Sequence, residues 1–313
     1  MIPTQQNILN AYSNVKLYVH RTPVLTSSYL DRLSGASLYF KCENFQKMGA
    51  FKMRGAVNAI QQLSEAQKQQ GVVTHSSGNF GQAVALAAKN LGIKAYVVMP
   101  NNAPSVKIEA VKGYGAEVIL CEPTLEAREH TSEAIVQKNG ATFLHPSNQL
   151  EVILGNATAA LELIEDQPNL EMVLAPVGGG GLIAGTALSV RYFGKNCQTI
   201  GAEPLAVNDA YRSLQSGRIE SNEVSSTIAD GLKTQLGDVN FPIIQQGVSE
   251  IICVEEAEII TAMRLIWERM KIIVEPSCAV PLAAVLKEKE KFQGKQVGII
   301  LSGGNVDLSE LPF

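Results

Sequence analysis

The sequence predicts an α/β protein with parallel sheets, arranged as two units that share an interface, on three observations. Between residues 71 and 121 short β-branched runs alternate with Ala-rich amphipathic stretches. A second alternation of the same kind starts near residue 153. No Pro/Gly/Ser-rich tether, internal repeat or low-complexity tract divides the two series, so they are expected to pack on one another.

In the first series GVVTH, KAYVVMP and AEVILCE read as strands and NFGQAVALAAKNLG and SVKIEAVKGYG as the helices between them. Gly92, Gly113 and Gly115 stand where those helices end. Strands joined by helices in this way run parallel through right-handed crossovers. In the second series ILGNATAALELIED is a helix, EMVLAPV a strand, LIAGTALSVRYFG a helix and QTIGAEP a strand. Residues 208–234 hold turn formers and few apolar runs and read as a loop-rich wall, after which EAEIITAMRLIWERMK regains helical periodicity. KQVGIILSGGNVD is a buried strand running into a glycine turn.

Composition narrows the function classes. A chain of 313 residues with 46% hydrophobic content can bury a large core. Charged residues make up 18%, with a net charge of −4, so no basic face is expected for nucleic acid or an anionic membrane, and small molecules are the expected partners. Cys42, Cys121, Cys197, Cys253 and Cys278 are odd in number, far apart and never spaced CxxC, which fits reduced thiols in a cytoplasm. The stretch MIPTQQNILNAYSNVKLYVH has polar residues where a signal peptide places its apolar run, and no 18 apolar residues occur in a row. His20, His75, His130 and His145 show no metal or triad spacing and read as structural, as does Cys278, and the Met263, Trp267, Met270 stripe reads as core or a subunit contact.

Four motifs carry chemistry. In VGGGGLIAG, Gly178, Gly179, Gly180 and Gly181 follow a strand and open a helix, where backbone N–H groups and the helix dipole favour a phosphate. It is neither a dinucleotide fingerprint nor a Walker loop, lacking the downstream acid of the one and the GK[ST] of the other. LSGGNVD places Ser302 at a strand's carboxyl end. SSGNFGQA offers Ser76, Ser77 and Asn79 at a helix start, which serves an anionic group or a plain N-cap equally well. Lys52 lies between Phe51 and Met53, where an apolar setting can turn an amine into a nucleophile, although a snorkelling lysine reads the same locally.

Taken in order, HRTPVLTSS, FKCENFQKMGAFKMRGA, THSSGNFGQA, YGAEV, TIADGLKT, WERMKIIVEPS and LSGGNVDL resemble the fold-type II pyridoxal-phosphate enzymes, over essentially the whole chain. The resemblance is closest to the serine racemases and serine/threonine dehydratases. It implies a tryptophan-synthase-β-like fold, two open twisted α/β domains with the cofactor in the cleft between them. The large domain would take residues 1–65 and 150–313 and the small domain 66–149.

Carried over by residue, the resemblance makes Lys52 the Schiff-base lysine and the base on one face of the substrate, and Ser77 the acid/base on the other. Phe51 lies against the cofactor ring, Asn79 bonds its 3′-oxygen, Gly178 to Gly181 hold its phosphate, and Ser302 faces its pyridine nitrogen. Ser76, Asn79 and Gln82 flank the substrate carboxylate, with Arg128 and Ser147 toward the far side of the pocket. GAEPLAVNDA resembles a divalent-cation site for Mg²⁺, Ca²⁺ or Mn²⁺ through Glu203, Asp209 and the Val207 carbonyl, although two solvated acids in a loop read the same without the resemblance. Ser28, Lys47, Met48, Gln82 and Tyr114 echo an ATP effector site, and a homodimer is implied.

The expected activity is a dehydratase (ammonia-lyase) converting a small L-hydroxy-amino acid to a 2-oxo acid and ammonia, with serine racemisation beside it. A racemase proper, for serine or aspartate, and a threo-3-hydroxyaspartate ammonia-lyase are the alternatives. A non-catalytic small-anion or amino-acid binding module stands outside that class. Two departures bear on substrate: Phe80 stands where serine racemases carry His, and Ser147 with Asn156-Ala157 replaces the family's Asn and Gln-Gly.

Overall fold

The computed structural model describes residues 2–223 and 226–313. Its strands are β1 (Val24–Leu25), β2 (Ser37–Cys42), β3 (Val72–His75), β4 (Ala95–Pro100), β5 (Glu117–Cys121), β6 (Thr142–Phe143), β7 (Met172–Pro176), β8 (Gln198–Pro204), β9 (Glu250–Val254) and β10 (Gln296–Leu301). They form a six-stranded sheet in the order β1-β2-β10-β7-β8-β9 and a four-stranded sheet in the order β5-β4-β3-β6. Among these strands only β1 runs antiparallel to its neighbour.

Both faces of the larger sheet are buried, as parallel strands require. Leu174 and Ile299 point to one face, where Val280 and Leu282 of the helix Pro276–Lys287 cover them. Their neighbours Val173 and Ile300 point to the other, under the helices Leu150–Asp166 and Gly181–Phe193. In the smaller sheet Val72 and Val97 pack against Ala83, Val84 and Ala87 of the helix Asn79–Leu91. The helix Lys52–Gln61 lies between the two lobes and touches helices of both. A Cβ on Gly155 would stand 2.4 Å from the Arg54 carbonyl oxygen, so the close approach of Lys52–Gln61 to Leu150–Asp166 depends on glycine there.

The last strand, β10, inserts between β2 and β7. That topology brings the carboxyl ends of three strands side by side, where open α/β sheets bind ligands.

Two segments differ from the sequence reading. The wall at 208–234 contains the helix Asp209–Ser216, whose first N–H groups are satisfied from the neighbouring β8; two of its positions, 224 and 225, lie outside the described residues. The helix expected through residue 271 is α-helical only over Glu256–Leu265, then forms a π turn over Ile266–Met270. There Trp267 Nε1 donates to the Val274 carbonyl at 3.0 Å and its ring meets Phe313 edge-on at 5.7 Å, tertiary contacts that accommodate the wider turn. Among the described residues no helix is long and apolar enough to cross a membrane.

Candidate active site

From β2 the chain passes through two 3₁₀ turns, Glu43–Phe45 and Lys47–Gly49, into the helix that begins at Lys52. Phe51 N donates to the Ser302 carbonyl at 3.0 Å and Gly304 N to the Gly49 carbonyl at 2.9 Å, which ties that entry to the end of β10. Lys52 Nζ donates to the Pro146 carbonyl at 2.8 Å. It stands 5.0 Å from the centroid of the Phe51 ring and 5.7 Å from that of Phe80. Burial pushes the amine down to about 8, with Glu275 pulling it up. An amine so placed sheds its proton near neutral pH and becomes a nucleophile.

After β3 the turn Ser76–Gly78 opens the helix Asn79–Leu91, and Ser76 Oγ accepts Gly78 N–H at 3.3 Å. Asn79 Nδ2 donates to both Glu275 oxygens, at 3.0 and 3.1 Å, while its Oδ1 accepts Asn305 Nδ2 at 2.8 Å. Those bonds cross from the smaller lobe to the larger. Burial, then the charge of Asp230, pushes the Glu275 carboxyl up to about 7. Ser302 is buried and its hydroxyl has no partner, a costly state for a polar group unless a ligand completes it.

The glycine turn follows β7. Gly180 has φ +79, and a Cβ on Gly178 would stand 2.7 Å from Leu232 Cα, on Gly179 2.4 Å from Ser147 Oγ and on Gly181 3.0 Å from Ser147 Cα. Glycine is therefore demanded by the walls of the turn as well as by its shape. Asn240 Nδ2 closes it from outside, donating to the Gly179 carbonyl at 2.8 Å and the Ser147 carbonyl at 3.3 Å.

Behind Lys52 lies a fully buried ionic cluster. Arg54 donates through Nε to Glu43 at 2.7 Å and through Nη2 to Glu162 at 2.7 Å. Lys41 Nζ donates to the same Glu162 at 2.7 Å, and Thr22 Oγ1 to Glu43 at 2.6 Å. Two cations balance two anions, and each carboxylate is held by several donors, the condition under which buried charge is tolerated. Burial raises the Glu43 carboxyl, but Arg54 outweighs it and holds the group below the usual carboxylate range. Arg54 sits two residues beyond Lys52, so the cluster clamps the start of that helix onto β2 and the helix Leu150–Asp166.

The remaining expectations are placed unevenly. Gln82 is buried on the helix after the Ser76–Asn79 turn, and Ser147 joins the glycine turn. Arg128 turns back on its own helix, with Nε on the Thr124 carbonyl at 3.3 Å, and no contact brings it to that turn. Glu203 accepts the N–H groups of Ala210 and Tyr211 at 3.0 and 2.8 Å, and Asp209 accepts Asn222 while its second oxygen has no partner. Both acids are buried, which pushes Glu203 up to about 8 and Asp209 up to about 6. Val207 is buried beside them. Met48 and Tyr114 border one apolar cluster with Lys47 next in sequence, whereas the helix Ser28–Ser34 packs through Leu30 into another.

A buried lysine with a lowered pKa, a walled glycine turn and an unpartnered serine hydroxyl meet at one sheet edge, as an anionic aldehyde cofactor asks. The family model for pyridoxal-phosphate dependent enzymes matches residues 15–303. The chain belongs to this family. It is therefore a pyridoxal-phosphate dependent enzyme. It is 51% identical to the serine racemase of Dictyostelium discoideum over 312 residues, covering 98% of this chain and 96% of that one. It is 46% identical to the beta-hydroxyaspartate dehydratase of Paracoccus denitrificans, covering 100% and 99%. The crystal structure of a threonine deaminase from T.th. superposes with a TM-score of 0.94 at 41% identity, covering 98% of this chain and 100% of that one.

Only a neutral amine attacks an aldehyde. The rate at which cofactor-stripped enzyme recaptures pyridoxal phosphate should therefore rise with pH and level off above about 8, followed by stopped-flow absorbance. A rate that keeps climbing toward the ordinary lysine range would show that Lys52 is not depressed.

The sequence reading missed Glu275, Asn240, Asn148 and the Arg54 cluster. Glu275 left one trace, an acid closing the apolar run IIVEPS.

Proposed function

We propose that this enzyme is an ammonia-lyase for a small L-hydroxy-amino acid, L-serine, L-threonine or L-threo-3-hydroxyaspartate, with racemisation beside elimination. The observation that carries the reading is the Lys52 amine, lowered to about 8 and flanked by Phe51 and by Phe80, which lies on the helix that follows the Ser76–Gly78 turn. Lys52 would hold the cofactor aldehyde, Phe51 its ring, Asn79 its 3′-oxygen, Gly178 to Gly181 its phosphate, and Ser302 its pyridine nitrogen. When bound, the cofactor supplies a sink for negative charge at the substrate α-carbon. A neutral Ser302 hydroxyl does not protonate that nitrogen as an aspartic acid would, which keeps the sink weak and favours loss of a β-hydroxyl, or quick reprotonation, over transamination.

Lys52 Nζ takes the α-proton from one face, and Ser77 Oγ moves a proton on the other. Ser76, Asn79 and Gln82 receive the substrate carboxylate, with Ser147 and Arg128 toward the far side. Phe80, 2% exposed, puts an apolar ring beside the amine, which suits a β-substituted substrate better than serine. After the β-hydroxyl leaves, water converts the released unsaturated amine to a 2-oxo acid and ammonia. The reading draws support from relatives named for both serine racemisation and hydroxyaspartate dehydration.

Elimination needs one acid/base group and inversion needs two. Ser77→Ala is expected to cut D-serine formation at least about 100-fold while 2-oxo acid release from the best substrate falls less than about tenfold. Chiral chromatography beside a 2-oxo acid assay measures both, and equal losses would overturn the two-face assignment. A racemase proper, for serine or aspartate, is the second reading, favoured by the presence of Ser77.

A divalent cation, Mg²⁺, Ca²⁺ or Mn²⁺, is assigned to Glu203, Asp209 and the Val207 carbonyl, because two buried acids, one with an unpartnered oxygen, want a positive partner. Saturating Mg²⁺ should raise the melting temperature by about 5 °C. Glu203→Gln should remove most of that rise in a thermal-shift assay; an unchanged rise would place the ion elsewhere.

ATP is assigned as an effector near Lys47, Met48, Gln82 and Tyr114, with Ser28. A homodimer is assigned to the face bearing Tyr29, Arg269, Trp267 and Phe313, where Tyr29 is 39% and Phe313 42% exposed. The free cysteines support a cytoplasmic setting. The large domain is taken as 1–65 and 150–313 and the small as 66–149, following the strands of the two sheets.

A further inference from the structure

We propose that His145, as a neutral imidazole with its proton on Nε2, is a positioning residue that sets the turn 146–148 to hold the Lys52 amine and the glycine turn together. The relevance to cofactor binding rests on the reading that Lys52 and Gly178 to Gly181 hold pyridoxal phosphate.

His145 Nδ1 accepts two backbone N–H groups at once, from Ser147 at 3.2 Å and Asn148 at 2.8 Å. A nitrogen facing two donors has no room for a hydrogen of its own, so the ring proton belongs on Nε2. Each residue of the turn so fixed reaches a different part of the site. The Pro146 carbonyl receives Lys52 Nζ at 2.8 Å. Ser147 Oγ stands 2.4 Å from where a Gly179 Cβ would be, and its carbonyl shares Asn240 Nδ2 with the Gly179 carbonyl. Asn148 Oδ1 accepts Val239 N at 2.9 Å and Asn240 N at 3.3 Å, and its Nδ2 donates to Asp238 at 2.8 Å.

The turn follows β6 of the smaller sheet and the glycines follow β7 of the larger, so one ring nitrogen organises the junction of the two lobes. The surroundings favour the neutral ring. Burial first, then the positive charges of His75 and Lys52, push it down to about 4, with Asp238 opposing. Phe143 lies between the two imidazoles, its ring 5.3 Å from His75 and 6.3 Å from His145. A second proton would set Nδ1–H against two N–H groups and displace the carbonyl that faces Lys52.

Three variants of the full chain test the role. In His145→Asn the amide oxygen can reach the place of Nδ1, in His145→Gln it overshoots, and in His145→Ala it is gone. Nitrogen-15 spectra of the wild-type holoenzyme should show His145 with Nδ1 bare and Nε2 protonated. On cofactor-stripped protein, the pH midpoint for amine labelling of Lys52, read by mass spectrometry, should fall by about one unit in the Ala and Gln variants as the ammonium loses its carbonyl, and hold in the Asn variant. Pyridoxal-phosphate affinity should fall about ten- to a hundredfold in Ala and Gln, and less than about threefold in Asn.

A protonated Nδ1, or Ala, Gln and Asn variants that label alike, overturns the inference while the functional reading stands. Wild-type protein that takes up no pyridoxal phosphate, with labelling midpoints that still sort as expected, overturns the functional reading and upholds the positioning role.

Discussion

Lys52→Ala is expected to abolish the visible band that depends on the covalent link between the lysine and the cofactor, and to lower 2-oxo acid release by about 10⁴-fold. The loss is large because one amine has two duties, covalent attachment of the cofactor and proton transfer at the α-carbon. The structure gives no substitute: Phe51 and Phe80 flank Nζ with apolar rings, and Arg54, the next cation along the helix, is committed to Glu43 and Glu162. Far-ultraviolet circular dichroism should be unchanged, since only one carbonyl partner is lost. A variant with normal turnover would remove Lys52 from the mechanism. Wild-type protein saturated with pyridoxal phosphate that never develops the absorbance would favour a binding module without chemistry.

Glu162→Ala should destabilise the fold by about 3–5 kcal/mol, because it leaves Arg54 and Lys41 buried with one carboxylate, Glu43, between them. Chemical denaturation of the holoenzyme measures it. Glu162→Gln keeps the volume and some of the acceptors but not the charge, and should lie between. The effect should reach the site as well: Arg54 anchors the first turn of the helix that begins at Lys52, so cofactor affinity should fall in the variant even where it remains folded. An unfolding free energy within about 1 kcal/mol of wild type would mean the cluster is not the clamp described.

Much of the fold could be read from the sequence because its signals are local. Alternating apolar runs marked β3, β4, β5, β7, β8 and β10, and the turns after β3, β7 and β10 announced themselves by Ser, Asn and Gly. The order of strands could not be read that way. That β10 enters between β2 and β7 is a matter of contacts far apart in sequence, and it is this placement that brings Ser302, Lys52 and the glycine turn to one edge. The π turn at Ile266–Met270 escaped for a similar reason, since Trp267 answers to Val274 and Phe313 and not to its own helical period. Arg128 was expected toward the far side of the pocket, and its Nε donates to the Thr124 carbonyl at the start of its own helix.

The sequence by itself determined the two α/β series and the candidacy of Gly178 to Gly181 as a phosphate cradle and of Lys52 as a nucleophile, because strand period, glycine turns and a lysine among apolar residues are properties of neighbours along the chain. Only the tertiary structure decided that the Lys52 amine is depressed, that Glu275 bonds Asn79 across the lobes, that Arg54 and Lys41 share buried carboxylates and that His145 braces the turn under the lysine. Burial sets the first, and the others bring together residues far apart along the chain, Lys52 with Pro146, Asn79 with Glu275 and Lys41 with Glu162; His145 bonds only its near neighbours, but the turn it fixes meets Lys52 through the fold.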